Sequence, residues 1–245
     1  MNTLEVKGLQ KVYPAFTLQD VSFTVPQGAI VGFIGRNGAG KSTTLKSILG
    51  LVHPDAGEVL FEGGDVREEE KLFKENIGVV LGGIDFYPKK TVKTITAVTK
   101  RFYSNWSEEK YRHYLEVFAI DEAKRVDQLS TGMRVKYLVA LALSHDARLF
   151  ILDEPTSGLD PVSRDELVSL FRSIVADGTH SILFSTHITS DLEKCASHVT
   201  MIQEGAILFS GTKAAFMEHF RDKGETLEDI IVAVEGRHFD ESAIL

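Results

Sequence analysis

Gly35-Arg36-Asn37-Gly38-Ala39-Gly40-Lys41-Ser42 decides how this chain is read. It fits the pattern G-x-x-x-x-G-K-[ST], and its flanks matter as much as the match. Upstream, Pro26-Gln27-Gly28 turns the chain into the dense apolar run Ala29–Ile34, which reads as a buried strand. Downstream, Leu45, Ile48 and Leu49 recur at helical spacing as far as Gly50. Strand, glycine loop and helix in direct succession suit phosphate binding. The glycines let successive N–H groups curl around phosphate oxygens, and the helix N-terminus adds partial positive charge. Lys41 then neutralises the outer phosphates, and Ser42 is placed to ligate Mg²⁺. A large side chain at Gly40 is expected to obstruct that approach.

A phosphate loop of this kind also needs a strand that ends in a carboxylate, and Leu149-Phe150-Ile151-Leu152-Asp153-Glu154 supplies one. Asp153 is expected to hold Mg²⁺, mostly through water. Glu154, pointing to the other side of the strand end, is placed to polarise the attacking water.

Outward from these motifs, Leu4–Val12 and Leu18–Val25 alternate as β-structure, and Gly57–Phe61 and Ile77–Leu81 read as further strands. The acidic segment Arg67–Glu75 reads as a short exposed helix, with Glu68-Glu69-Glu70 a solvated face rather than a metal site. From Ile84 to Ala147 the pattern turns helical, over Thr91–Arg101, Ser107–Ala119 and Thr131–Ser144, which predicts a helical lobe inserted in an α/β core. Ser107 is a plausible cap for the second of these helices, and Tyr103, Trp106, Tyr111 and Tyr114 are expected to pack the lobe. From Arg148 the α/β alternation resumes with Leu149–Leu152, a helix over about 161–176, and strands at Ser181–Phe184, Val199–Ile202 and Ala206–Phe209. Two short amphipathic helices follow from Thr212, with Gly224 a weak breakpoint between them.

The chain has 245 residues, 43% hydrophobic and 25% charged, which fits a globular protein and excludes collagen-like or disordered chains. Lys plus Arg is 27 against 35 for Asp plus Glu, a net charge of −8 that argues against nucleic acid as a partner. Cys195 is the single cysteine, which suits a reducing compartment. No apolar run approaches the roughly 18 to 20 residues needed to cross a bilayer. The first residues lack the pattern of a secretory signal, so work at a membrane would require a partner to hold the chain there.

With these residues in hand, the sequence resembles the ATP-binding subunit of an ABC transporter, from about residue 2 to about residue 213. Leu129-Ser130-Thr131-Gly132-Met133 stands where that family carries its L-S-G-G-Q signature, upstream of the Asp153-Glu154 strand. Ser157-Gly158-Leu159-Asp160 matches the D-loop, His187 the switch histidine, and Tyr13 the aromatic that stacks on adenine. The resemblance implies a P-loop NTPase core with an N-terminal antiparallel β-subdomain and an inserted helical subdomain over about 84–147. Residues 1–223 form the ATP-binding domain in this reading, and 224–245 a helical tail.

The cofactors implied are ATP and Mg²⁺. Gly35, Arg36, Asn37, Gly38, Ala39, Gly40, Lys41, Ser42 and Thr43 would bind the nucleotide together with Tyr13. Ser130, Thr131, Gly132, Met133 and Asp160 would reach it from a second copy in a head-to-tail pair. Ser42 and Asp153 would serve the metal, Glu154 would be the catalytic carboxylate, and His187 would sense the γ-phosphate with it. The partners implied are a polytopic membrane permease and a second ATP-binding subunit, identical or related, at the cytoplasmic face of the membrane. Single-domain organisation and a short tail most resemble the stand-alone subunits of ABC-2-type exporters of drugs, antimicrobial peptides or other amphipathic molecules.

Thr131 and Met133 depart from the signature, and Gly82-Gly83 stands where the family has a glutamine that reaches Mg²⁺ and water. Asp85 is a candidate to take over part of that role. A low basal ATPase rate is therefore expected, and a fast rate unchanged by added permease would contradict it. The permease is expected to dock near Gly82–Tyr87, where Ile84, Phe86 and Tyr87 are apolar. The competing reading is a non-transport ABC ATPase acting on the ribosome or DNA. A kinase or GTPase sharing only the phosphate loop leaves Ser130, Asp160 and His187 without a reason.

Overall fold

The computed structural model describes residues 1–81 and 87–236. The expectations placed on Gly82, Gly83, Ile84, Asp85 and Phe86, and on the tail beyond Gly236, lie outside the described residues. Two long strands open the chain, β1 (Asn2–Tyr13) and β2 (Phe16–Pro26), before β3 (Ile30–Ile34) and α1 (Lys41–Ile48). β4 (Ala56–Phe61), β5 (Gly64–Asp65), α2 (Glu70–Glu75) and β6 (Ile77–Val80) follow. The helical lobe comprises α3 (Val92–Thr99), α4 (Glu108–Val117) and α5 (Thr131–Ser144). The chain then returns to the core with β7 (Leu149–Asp153), α6 (Pro161–Val175), β8 (Ser181–Ser185) and α7 (Thr189–Cys195). β9 (His198–Gln203), β10 (Ala206–Thr212), α8 (Lys213–His219) and α9 (Leu227–Glu235) complete it.

Two sheets result. The first is antiparallel with order β2-β1-β4-β5, and the second has order β10-β9-β3-β8-β7-β6, parallel except for the β9–β10 hairpin at one edge. All five residues of β3 are buried, as expected of a central parallel strand covered on both faces. Its alternation divides the core. Val31 and Phe33 pack with the antiparallel sheet and with Leu45 and Ile48 of α1. Ile30 and Ile34 face the other way, toward Phe171 of α6 and Leu192 of α7. Leu227 and Ile230 of α9 belong to that same second cluster.

β6 and β7 are parallel neighbours, so the chain between them must cross over, and the lobe is that crossover. α5 serves both bodies: Val135 and Val139 join the second core cluster, whereas Tyr137 and Leu141 join a lobe cluster with Val92, Tyr111 and Leu115. At the lobe's centre the buried Thr96 hydroxyl lies 2.8 Å from both the Tyr111 and the Tyr137 hydroxyls. Tyr111 also donates to Glu122 at 3.0 Å, and Tyr137 to the Val92 carbonyl at 3.2 Å.

Several elements differ from the sequence reading. The acidic segment is helical only from Glu70, because Asp65 accepts from the Arg67 amide and holds a turn before it. The helix expected over Thr91–Arg101 ends at Thr99 and tightens into a 3-10 turn at Lys100–Phe102. Of the aromatics expected to pack the lobe, Trp106 and Tyr111 join its cluster and Tyr103 stacks on His145, with centroids 3.6 Å apart, whereas Tyr114 packs against the second core cluster. Helix α7, directly after His187, was not anticipated. Among the described residues no helix is long and apolar enough to cross a membrane.

Candidate nucleotide site

The loop between β3 and α1 is held open by backbone geometry. Gly40 sits at the N-terminus of α1 with φ 115°, a conformation L side chains rarely adopt. A Cβ there would lie 2.6 Å from Leu18 Cδ2 and 2.9 Å from Phe16 Cζ. The obstruction expected at Gly40 thus falls on the packing beneath the loop, not on the phosphate side. Ser42 and Thr43 occupy the first turn of α1, whose leading N–H groups have no intrahelical acceptor. No acidic residue shares that turn, so it keeps the partial positive charge that attracts anions.

Lys41 is 6% exposed, and its ammonium donates to the Gly35 and Arg36 carbonyls. Its Nζ lies 3.9 Å from Glu154 Oε1, and Glu154 Oε2 lies 2.8 Å from His187 Nδ1. A cation, a carboxylate and an imidazole therefore stand in line at the C-terminal ends of β3, β7 and β8. Ser185, at the end of β8, ties the two carboxylate residues together. Its hydroxyl donates to Asp153 Oδ1 at 2.6 Å and accepts from the Glu154 amide at 2.9 Å. With φ 51°, Glu154 leaves the strand in a left-handed turn. Asp153 stays buried at the strand end. Sequence reading did not single out Ser185, because its place opposite Asp153 is set by the register of two adjacent parallel strands.

Tyr13, at the end of β1, borders a cavity of about 840 Å³ together with Arg36, Asn37, Gly38 and Ala39. Gln203 and Glu204 of the β9–β10 turn and residues Val234–Gly236 at the end of α9 complete its wall. None of these last five residues was singled out in the sequence.

Ser130, Thr131, Gly132 and Met133 lie at the start of α5. Ser130 caps the helix by accepting from the Met133 amide at 3.2 Å, and Met133 packs against the lobe cluster. A Cβ at Gly132 would lie 3.6 Å from Leu159 and Ser163, which places the helix start beside the turn leading into α6. Asp160 caps α6, accepting from the Val162 and Ser163 amides at 3.0 and 3.1 Å. The Ser163 hydroxyl and amide are the main reason its carboxyl sits below the usual range. Among the described residues, no hydrogen bond or ion pair joins Ser130–Met133 or Asp160 to the phosphate loop. One chain thus presents two separate surfaces, the loop with Glu154 and His187, and the paired starts of α5 and α6.

The fold and this site define a P-loop nucleotide-binding protein. A family model described as ABC transporter matches residues 18–157. The chain belongs to the ABC transporter family, as an ATPase domain of the ATP-binding type. It is 33% identical over 208 residues to the bacitracin transport ATP-binding protein BcrA of Bacillus licheniformis, covering 84% of this chain and 68% of that protein. It is 34% identical over 203 residues to the Nod factor export ATP-binding protein I of Burkholderia lata, covering 81% of this chain and 66% of that protein. The chain thus spans about two-thirds of the length of the curated relatives it matches, 65% in the case of the ATP-binding protein YtrB of Bacillus subtilis. A solved structure described as the ATP binding subunit of an ABC transporter has a TM-score of 0.83 and 29% identity, covering 94% of this chain and 98% of that one.

Proposed function

We propose that this protein binds and hydrolyses ATP between two head-to-tail copies, or between itself and a related chain, and so powers an exporter held in the membrane. The observation that carries this is the line from Lys41 through Glu154 to His187 beside the open N-terminus of α1. The loop N–H groups and Lys41 bind the phosphates. Glu154 takes up the proton of the attacking water, and His187, in contact with Glu154, holds that carboxylate in register with the γ-phosphate.

The second surface supports a pair. The start of α5 offers the Ser130 hydroxyl and free N–H groups, and a phosphate of the opposite copy is the natural acceptor. Asp160, capping the neighbouring helix, is placed to carry the state of one site to the other.

Mg²⁺ fits the donor set. Asp153 and Ser42 contribute hard oxygen ligands, and Mg²⁺ characteristically takes one or two protein groups and completes its shell with phosphate oxygens and water. Bound there, it would screen charge on the transferring phosphate. Asp153 is held for that role by Ser185.

An apolar cleft of about 680 Å³ between β6 and the lobe, lined by Ile77, Ile95, Phe102 and Leu138 among others, suits a short amphipathic helix of a permease. Tyr87, where the described residues resume, is exposed. Such docking would hold the protein at the cytoplasmic face. The names of the relatives favour export of drugs, peptide antibiotics or other amphipathic molecules, and a net charge of −8 speaks against nucleic acid as a partner.

The test is affinity isolation of tagged Glu154→Gln protein with Mg-ATP from detergent-solubilised native membranes. Recovery of a polytopic permease is the expected result. Recovery of ribosomal or DNA-bound proteins with nothing from the membrane would overturn the transport reading.

A further inference from the structure

The phosphate loop receives one visitor that none of its motifs accounts for, the C-terminal end of α9. Arg36 Nη1 donates to the Glu235 carbonyl at 3.1 Å, across 199 residues of sequence. On the other side of the cavity, Gln203 Nε2 reaches the Val234 carbonyl at 3.5 Å. The helix is anchored at its start by a Thr226–Asp229 capping box and by the buried Leu227 and Ile230. Its last turn is thereby delivered to the wall of the cavity that Tyr13 and Arg36–Ala39 also line.

We propose that Glu235 sets the nucleotide affinity of this site, its backbone carbonyl holding Arg36 and its carboxylate standing in the wall of the same cavity, as a gate that polyphosphate must displace. This rests on the reading of the cavity and loop as the nucleotide pocket. Three features of the contact carry it. The Glu235 side chain is partly buried, and its Oε1 has no hydrogen-bond partner, an arrangement that costs free energy unless opposite charge lies near. The charges that stabilise its ionised form are those of Lys41 and Arg36, although burial outweighs them and raises its pKa. The helix end itself carries the negative pole of the α9 dipole and presents carbonyls rather than N–H groups. A carboxylate and a helix C-terminus against the loop both oppose phosphate. Each added phosphate charge strengthens that opposition, so the gate discriminates by nucleotide charge. Glu235 is a positioning residue here, since it works through the two cations.

Titration calorimetry with ATP and with ADP, in EDTA at moderate salt, tests this on the whole protein and on Glu235→Gln and Lys41→Ala variants. Glu235→Gln keeps the shape and removes the charge. It is expected to tighten ATP binding by about three- to tenfold and ADP binding by less. Unchanged or weaker ATP binding, or an equal gain for both nucleotides, would overturn the proposal. Hydrogen exchange on the unmodified protein provides a second readout. Amides of 227–236 should exchange faster once ATP is bound, and unchanged protection there counts against displacement. Loss of ATP binding in Lys41→Ala is expected whatever Glu235 does. Full retention there would instead remove the nucleotide-pocket reading on which the gate depends.

Discussion

The lobe and the phosphate end of the parallel sheet both bury polar groups, and they treat them in opposite ways. In the lobe, the Thr96 hydroxyl lies between those of Tyr111 and Tyr137, which donate to Glu122 and to the Val92 carbonyl. Among the described residues, no buried side-chain polar atom of the lobe lacks a partner. At the sheet end, Thr156 Oγ1 and Glu235 Oε1 lack one. Satisfied networks fix a shape, whereas an under-satisfied buried group is free to meet a ligand. The lobe thus uses its buried polar groups for form, and the sheet end keeps some open for the proposed reaction.

Substitutions can break that comparison, and the largest effect is expected at the sheet end. Glu154→Gln should lower the hydrolysis rate by about 10²- to 10⁴-fold, the range for loss of a general base, while leaving ATP affinity and melting temperature nearly unchanged. Steady-state phosphate release and a thermal melt check both halves. A comparable loss of folding stability would mean that Glu154 is structural.

A stability effect of intermediate size belongs to His145, which links the end of α5 to the Glu75 carbonyl ahead of β6. Burial, only partly offset by contact with the Glu75 carbonyl, brings its pKa from 6.5 down to about 4. The unfolded chain thus binds a proton between those values and the folded chain does not. Its contribution is fully present above pH 6.5 and is lost as pH falls toward 4, on the order of 3 kcal/mol. Urea unfolding at pH 7.5 and at pH 5 should show this loss, and His145→Gln should flatten it. An equal pH dependence in that variant would assign it to other groups.

The smallest effect is in the lobe network. Thr96→Val removes one shared hydroxyl and should cost about 1–2 kcal/mol, because Tyr111 keeps Glu122 and Tyr137 keeps the Val92 carbonyl. Hydrolysis per folded molecule should not change. A large drop in that rate with little loss of stability would erase the distinction between the two regions.

What could be read in advance follows the same division by range. The strand, loop and helix around Gly35–Ser42 and the strand end at Asp153–Glu154 were legible because each rests on a few consecutive residues. The starts of α5 and α6 were legible through Ser130 and Asp160, whose side chains cap the helices they precede. Helix α7 escaped because it has only seven residues, of which just Asp191 and Leu192 are buried, too few for a period to register. Tyr114 was misplaced because its face of α4 packs against the second core cluster, which is assembled from distant elements. The bridge through Ser185 and the approach of Glu235 to Arg36 depend on tertiary register, which no local pattern carries.

The central claim is that ATP joins the phosphate loop of one copy to the Ser130 surface of another. Light scattering coupled to size exclusion, on Glu154→Gln with and without Mg-ATP, measures it directly. The account predicts a monomer without nucleotide, a dimer with it, and loss of the dimer when Ser130→Arg is added. A protein that stays monomeric with ATP bound, or a dimer indifferent to Ser130→Arg, would contradict it.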